Sequence, residues 1–514
     1  MSRFTRMKTF LKKLFAPPWY PIVFSAYPVL ALLAANIGQV KAGAGLRPLL
    51  ISVGITSVLF ALLYLIFRNW HRAGFLLMLL LVLFFSYGHL YIVLGEKYPE
   101  FNFSPWMLTA WGMLAIGALF WSWKQTPSAS GLNVIALGLV TVSLTQINST
   151  SVPLRSAHAL GAEHAPVESD LARPENPPDV YYFILDSYGR EDLLMQAYGY
   201  DNSEFIRELE ERGFYVPKCS LSNYVRTELS LGSSLNMQYL PDLSDSFNKP
   251  ESISRSVLWD SLKHGAVRYN FESMGYETVN FATGFAWMEL YDADHFIILP
   301  AISSGMSEFE GLLLRTTLAR YAQDLDWVDP DAIMGDNFRD RYMSIFNNMK
   351  TIAKMPQATF AYIHVISPHP PFVFDPEGNP TNPADFWNKQ HLYPPDLYAK
   401  GYQNQLTYLN KNVLKAVDTI LANSKTPPII IFQGDHGPWL QPKAERLWIF
   451  NAYYFPGHKD VLYPTISPVN TFRLVFNTYF GGKYDMLKDI TYFSPVPKLY
   501  EFSEMPYACS WPDK

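Results

Sequence analysis

Apolar positions along this chain fall into two regimes. Up to about residue 147 they form long, nearly unbroken stretches, roughly 19–37, 47–67, 74–94, 105–123 and 132–147, with few charges between them. Most approach the ~20 residues an α-helix needs to cross a ~30 Å hydrocarbon core. Runs such as LLMLLLVLFF are too apolar for an ordinary core helix. The last stretch, GLNVIALGLVTVSLTQI, is the shortest and carries Thr and Ser, so it is the weakest of five expected spans. Residues 148–178 lack apolar periodicity and are rich in Pro, Ala, Ser and charge, as in a linker.

From Asp179 short apolar runs alternate with amphipathic ones. VYYFIL, ATFAYIHVI and PPIIIFQ read as strands buried on both faces of a sheet. SEFIRELEERG has helical spacing with Gly213 at its end, and QLTYLNKNVLKAVDTILAN is a second amphipathic helix. No internal repeat is present. The expected architecture is an N-terminal α-helical transmembrane bundle (1–147), a linker (148–178) and an α/β domain with a largely parallel central sheet (179–514).

Charge adds an orientation. The N-terminal MSRFTRMKTFLKK and the loop RNWHRAG are basic, whereas GEKYPEFNFS has two glutamates against one lysine. By the positive-inside rule the N-terminus is cytoplasmic, and five spans put everything after residue 147 outside the cytoplasmic membrane. No small-residue cleavage site follows the first stretch, which argues against a removable signal peptide. A net charge of −5 gives no pull toward nucleic acid. The spans carry almost no ionisable residues, which argues against a transporter. Cys219 and Cys509 are the only cysteines, and an oxidising compartment permits but does not establish a bridge between them. Nothing in the sequence fixes an oligomeric state.

Candidate chemistry sits in three separated segments: DVYYFILDSYGR, NYVRTELSLGSSLNM and IIIFQGDHGP. Ligands of open α/β sheets gather at the carboxyl ends of strands. Asp186 follows one predicted strand, Asp435 and His436 follow another, and His369 of SPHPPF follows a third. Two carboxylates and an imidazole suit one divalent metal, Mn, Zn or Mg, with positions left open. The plainer alternative is that Asp186 starts a turn and Asp435 caps the next element. Thr227 stands where a helix begins and is a candidate N-cap. The same helix end offers free N–H groups to a phosphate, and a metal on the hydroxyl would make it a nucleophile. His369 is a candidate to hydrogen-bond a substrate oxygen or protonate a leaving alkoxide. Arg226 and Arg446 are candidate phosphate contacts. His264, His295, His364, His391 and His458 carry no motif.

At these residues the chain resembles the alkaline phosphatase–sulfatase superfamily. Within it the chain is most similar to membrane-anchored lipoteichoic acid synthase-like phosphoglycerol transferases and to phosphoethanolamine transferases. The resemblance covers most of 179–480, including NSEFIRELEERGFYV, FESMGYETVNFATG, GDHG and ERLWIFNAYYFPG. It implies one metal, commonly manganese, held by Asp186, Thr227, Asp435 and His436, with His369 binding substrate. The implied reaction moves a lipid head group through a phospho-threonine, releasing diacylglycerol. Sulfatases need Cys or Ser within Cys-x-Pro-x-Arg; Cys219 is followed by SLSN and the nucleophile position reads Thr. The chain departs from the branch in having Asp186 where a glutamate is typical, and over about 240–355, which does not align.

The expected function is therefore a metal-dependent phosphotransferase with a membrane phospholipid as donor and a glycan or lipid as acceptor. A phosphodiesterase or phosphatase, in which water replaces the acceptor, uses the same site. A non-catalytic envelope protein is the reading from another class, and the presence of usable groups at all four ligand positions weighs against it.

Overall fold

A computed structural model describes residues 16–506 apart from 38, 99–100, 102, 126, 157–170, 299–305, 326, 328–329, 382–393, 440–443 and 496–497. Along the chain come helices α1 (Tyr20–Asn36), α2 (Leu46–Phe67), α3 (Trp70–Lys97), α4 (Ser104–Lys124) and α5 (Ala129–Ser156). Strand β1 (Val180–Leu185), α6 (Ser203–Glu211), α7 (Thr227–Ser234), β2 (Glu277–Phe281) and β3 (His295–Ile297) follow. Then come α8 (Glu308–Arg315), β4 (Thr359–Val365), α9 (Pro395–Asn423), β5 (Ile429–Gly434), β6 (Asn451–Tyr454) and α10 (Pro468–Tyr479).

The chain divides into two compact units, Met1–Val152 with Ser304–Met334, and Pro153–Ser303 with Gly335–Lys514. In the first, α1, α2, α3 and α5 enclose an apolar interior built around Tyr20, Phe24, Phe60 and Leu77. Among the described residues four helices are long and apolar enough to cross a membrane: 42–67, 70–95, 104–124 and 129–148. The short member of the expected five is the first rather than the last. Helix α1 has 17 residues and so measures about 25 Å at 1.5 Å per residue. Helix α5 instead has 28 residues and runs through 148–156, which the sequence assigns to a linker. Residues 304–334, expected within the exported domain, group with this first unit.

The second unit is built on a six-stranded sheet of order β3-β2-β4-β1-β5-β6. Its first five strands are parallel and β6 runs antiparallel to β5, so the sheet is mostly parallel, as the buried apolar runs imply. Every residue of β1 is buried. Alternate side chains feed two cores. Tyr181, Phe183 and Leu185 pack with Tyr402, Leu406 and Leu409 of α9. Val180, Tyr182 and Ile184 pack with Leu231 of α7 and Phe472 of α10. Helix α6 ends where Gly213 takes a φ of +96°, a left-handed turn that a side chain disfavours. Cys219 is disulfide-bonded, while Cys509 lies outside the described residues.

Candidate active site

Register is what assembles the site. Leu185 of β1 pairs with Val365 of β4 and with Gly434 of β5, so three neighbouring strands end at one level. The residues that follow, Asp186 and Asp435, therefore leave the sheet side by side, and His369 emerges nearby from the loop after β4. The turn after β1 is tight. Ser187 adopts φ +65°, a left-handed conformation rare outside glycine and a form of strain typical of functional turns. A Cβ on Gly434 would lie 2.5 Å from the Tyr188 carbonyl, so only glycine lets β5 end against this turn.

The side chains are held by their own loops. Asp435 Oδ1 accepts the backbone N–H of Ser187 and of His436, both at 2.9 Å. His436 Nδ1 donates to the Gly437 carbonyl at 2.8 Å, which leaves the Nε2 lone pair free to act as a ligand. Asp186 Oδ2 accepts from His364 Nε2 at 3.2 Å. The remaining atoms face one another. His436 Nε2 lies 3.8 Å from Asp186 Oδ1 and 3.6 Å from Asp435 Oδ2. Both of those oxygens are buried without a hydrogen-bond partner among the described residues. Ligand atoms of Asp186, Asp435 and His436 come within 4.8 Å of one another, a spacing that could hold a metal ion. An unpaired buried polar atom costs about 1–3 kcal/mol, more if charged, so two in one spot call for a cation. Burial alone would raise the Asp186 pKa, but His369, His364 and His436 together hold it below the usual carboxylate range.

Thr227 is the first residue of α7, and Arg226 takes the N-cap place with φ −137° and ψ 142°. Thr227 thus does not cap the helix as its sequence context implies. Its hydroxyl has no hydrogen-bond partner among the described residues and is free for other chemistry. Two links tie this helix start to the metal-ligand loop. Ser222 Oγ donates to the Asp435 carbonyl at 2.6 Å and meets Ser230 Oγ of α7 at 3.1 Å. Arg446 Nη2 donates to the Val225 carbonyl at 3.0 Å, while the Arg446 carbonyl accepts the Gly437 N–H at 2.6 Å.

His369 is half-buried, its N–H donates to the Asp186 carbonyl at 3.0 Å, and its ring centre lies 6.4 Å from that of His436. Arg226 Nη2 and Arg446 Nε are buried without partners among the described residues. Burial lowers the pKa of both guanidiniums, and Arg226 lowers that of Arg446 further. Two half-buried cations with spare donors favour an anion between them. Arg446 also lies 4.4 Å over the Trp439 ring. Sequence reasoning missed three residues: Ser187 and Ser222, which carry no local signal, and His364. For His364 a clue existed, since a histidine is out of place within the buried strand TFAYIHV.

Fold and side chains together define a class, an α/β enzyme whose strand ends present a cluster able to hold a divalent metal. The chain belongs to the sulfatase family, whose model, described as Sulfatase, matches residues 178–467. It is an enzyme of the sulfatase-like type. No curated protein matches the sequence. Among solved structures it is similar to the C-terminal periplasmic domain of EcEptC from Escherichia coli in complex with Zn. Identity there is 11%, over 67% of this chain and 96% of that one, with a TM-score of 0.44. It is also similar to lipooligosaccharide phosphoethanolamine transferase A (EptA) from Neisseria meningitidis, at 12% identity over 90% and 94% of the two chains and a TM-score of 0.36. A third is the lipoteichoic acid synthase LtaP from Listeria monocytogenes, at 15% identity over 62% and 77% and a TM-score of 0.34.

Proposed function

We propose that this enzyme is a metal-dependent phosphotransferase of the cytoplasmic membrane, acting on its outer side. It takes a phosphoglycerol- or phosphoethanolamine-like head group from a phospholipid and gives it to a glycan or lipid acceptor. The observation that carries the reading is the trio of Asp186 Oδ1, Asp435 Oδ2 and His436 Nε2, turned toward one another and linked through Ser222 and Arg446 to the start of α7.

A divalent metal held by Asp186, Asp435, His436 and the Thr227 oxygen, manganese first with zinc or magnesium as alternatives, would supply positive charge and lower the pKa of the hydroxyl. The Thr227 oxygen, its proton lost to solvent, attacks the phosphorus, and the bond from phosphorus to the diacylglycerol oxygen breaks. His369 gives that oxygen its proton, so diacylglycerol leaves neutral. Arg226, Arg446 and the first N–H groups of α7 balance the negative charge on the phosphoryl oxygens. In the second half His369 takes the proton of the acceptor hydroxyl, whose oxygen forms the new phosphodiester as Thr227 is released and reprotonated.

The outward placement has support within the first unit. Phe309 of α8 packs against Val29, Leu33 and Ile37 at the end of α1. Glu310 pairs with Arg47 at the start of α2, and Arg320 lies 3.5 Å over Tyr91 near the end of α3. All three meet one face, opposite that from which α1 begins. At 17 residues α1 is within the range of a span, so its first residue, Tyr20, would lie across the membrane from this face.

The test is diacylglycerol release by the full-length protein in liposomes with manganese, phosphatidylglycerol and phosphatidylethanolamine being offered separately. Release from one lipid, lost in Thr227→Ala, is the expected result. No release from either with manganese bound would overturn the phospholipid donor and leave a soluble phosphodiester as the substrate to try.

A further inference from the structure

Wholly within the first unit is a cavity of about 1050 Å³. Pockets for small ligands run to roughly 300–1,000 Å³, so this one stands at the upper end. Its walls come from α2, α3 and α4, with side chains such as Leu59, Leu80 and Ala115; it is a groove open along one side, bordered by Leu313, Leu314 and Leu318 from the returning segment. Among the described residues the only charged ones lining it are Arg47 and Glu310, which form a two-pronged ion pair. Lining residues on α2 extend from Arg47 to Leu63, about 24 Å of helix, most of a ~30 Å hydrocarbon core.

The returning segment is seated too closely to be incidental. A Cβ on Gly88 of α3 would lie 2.3 Å from the Arg315 carbonyl oxygen and 2.6 Å from the Thr317 nitrogen. Only glycine allows that approach of backbone to helix. The segment's own start is fixed by a capping box between Ser307 and Glu310, the residue that also holds Arg47.

Water is a poor filling for such a space, because a buried water needs two to four polar partners. Most polar groups on its walls are committed elsewhere, Thr317 Oγ1 for instance donating to the Leu314 carbonyl at 3.0 Å. Ser52 Oγ donates to the Ser25 carbonyl at 2.8 Å, and Trp111 Nε1 donates to the Leu83 carbonyl at 2.8 Å. Around helices of this apolarity the medium is lipid hydrocarbon. We propose that this open groove is a binding site for the acyl chain of a membrane phospholipid, bordered by residues 306–319. Arg47 and Glu310 mark its polar end, a cation and an anion at the start of a span, where a phosphate and its head group would sit. The proposal stands whether or not the enzyme uses a phospholipid as donor.

Two glycines of α4 give a matched test. A Cβ at Gly112 meets nothing within 4 Å and Gly112 lines the cavity, so Gly112→Leu fills it without a clash. A Cβ at Gly117 also meets nothing, but Gly117 is not a lining residue, so Gly117→Leu is the control. Full-length protein in vesicles of phosphatidylethanolamine and phosphatidylglycerol is photolabelled by a trace phospholipid with a diazirine in its acyl chain. Labelling is mapped by peptide mass spectrometry, and thermal unfolding checks that both variants fold. The expected result is labelling of the peptide bearing Leu313, Leu314 and Leu318, cut severalfold by Gly112→Leu and unchanged by Gly117→Leu. Labelling that Gly112→Leu leaves intact, or labelling by a diazirine fatty acid but not by the phospholipid, would overturn the proposal.

Discussion

Two regions of this molecule call for ligands of opposite kinds. At the strand ends the protein is densely packed, yet two carboxylate oxygens are buried with no partner. In the first unit most polar groups around the groove are paired, yet some 1050 Å³ of space is lined by hydrocarbon. Each kind of incompleteness names its own remedy. A buried anion without a donor is relieved by a cation, whereas an apolar hollow is relieved by apolar matter. Reading what a site lacks is more specific here than reading what it contains, since aspartates after strands and leucines between helices are both commonplace.

The comparison breaks first at its polar end. Thr227→Ala should reduce turnover by on the order of 10³-fold or more, the scale for loss of a nucleophile, while Thr227→Ser keeps measurable activity; stopped diacylglycerol assays decide it. Next is metal dependence. Manganese at a hundredfold excess over its Kd stabilises a folded protein by about 2.7 kcal/mol, so wild-type protein should melt higher with manganese and lose that gain on chelation. Asp435→Asn should show no gain at all. A smaller effect sharpens the role of His364. Loss of a group that orients a ligand typically weakens metal binding about 10- to 100-fold, so His364→Leu should do so in a manganese titration. His364→Gln, which can still donate to Asp186, should recover part of it. Arg446→Lys should raise KM for the phosphodiester on the order of tenfold, the worth of one charged hydrogen bond, with kcat less affected. Smallest in catalytic terms is Gly88→Ala. It should lower lipid labelling of the returning segment while leaving the manganese-dependent melting shift intact, which separates the two regions.

The polar end was largely legible because the sheet reports itself. VYYFIL and PPIIIFQ could only be strands buried on both faces, and the residue after such a strand is where α/β sheets put chemistry. What was not legible depends on contacts between distant segments. That Ser222 and Arg446 tie α7 to the Asp435 loop follows from no local pattern. Thr227 looks like a cap, but the extended backbone of Arg226 takes that place. The cavity was hidden for a similar reason. Residues 304–334 carry ordinary amphipathic character, and their grouping with the first unit is visible only once Gly88 is seen against the backbone of Arg315 to Thr317. Helix length was misjudged at the last span alone, where α5 runs on to Ser156, because apolarity marks where a helix is buried in lipid and not where its hydrogen bonds stop.

The central claim is that Thr227 carries the transferred group. Protein incubated with phospholipid and manganese, quenched in acid and fragmented for mass spectrometry tests it directly. The account predicts a phosphodiester adduct on Thr227 that appears with diacylglycerol release and disappears when acceptor is added. Diacylglycerol release without that adduct, or an adduct on any other residue, would contradict it.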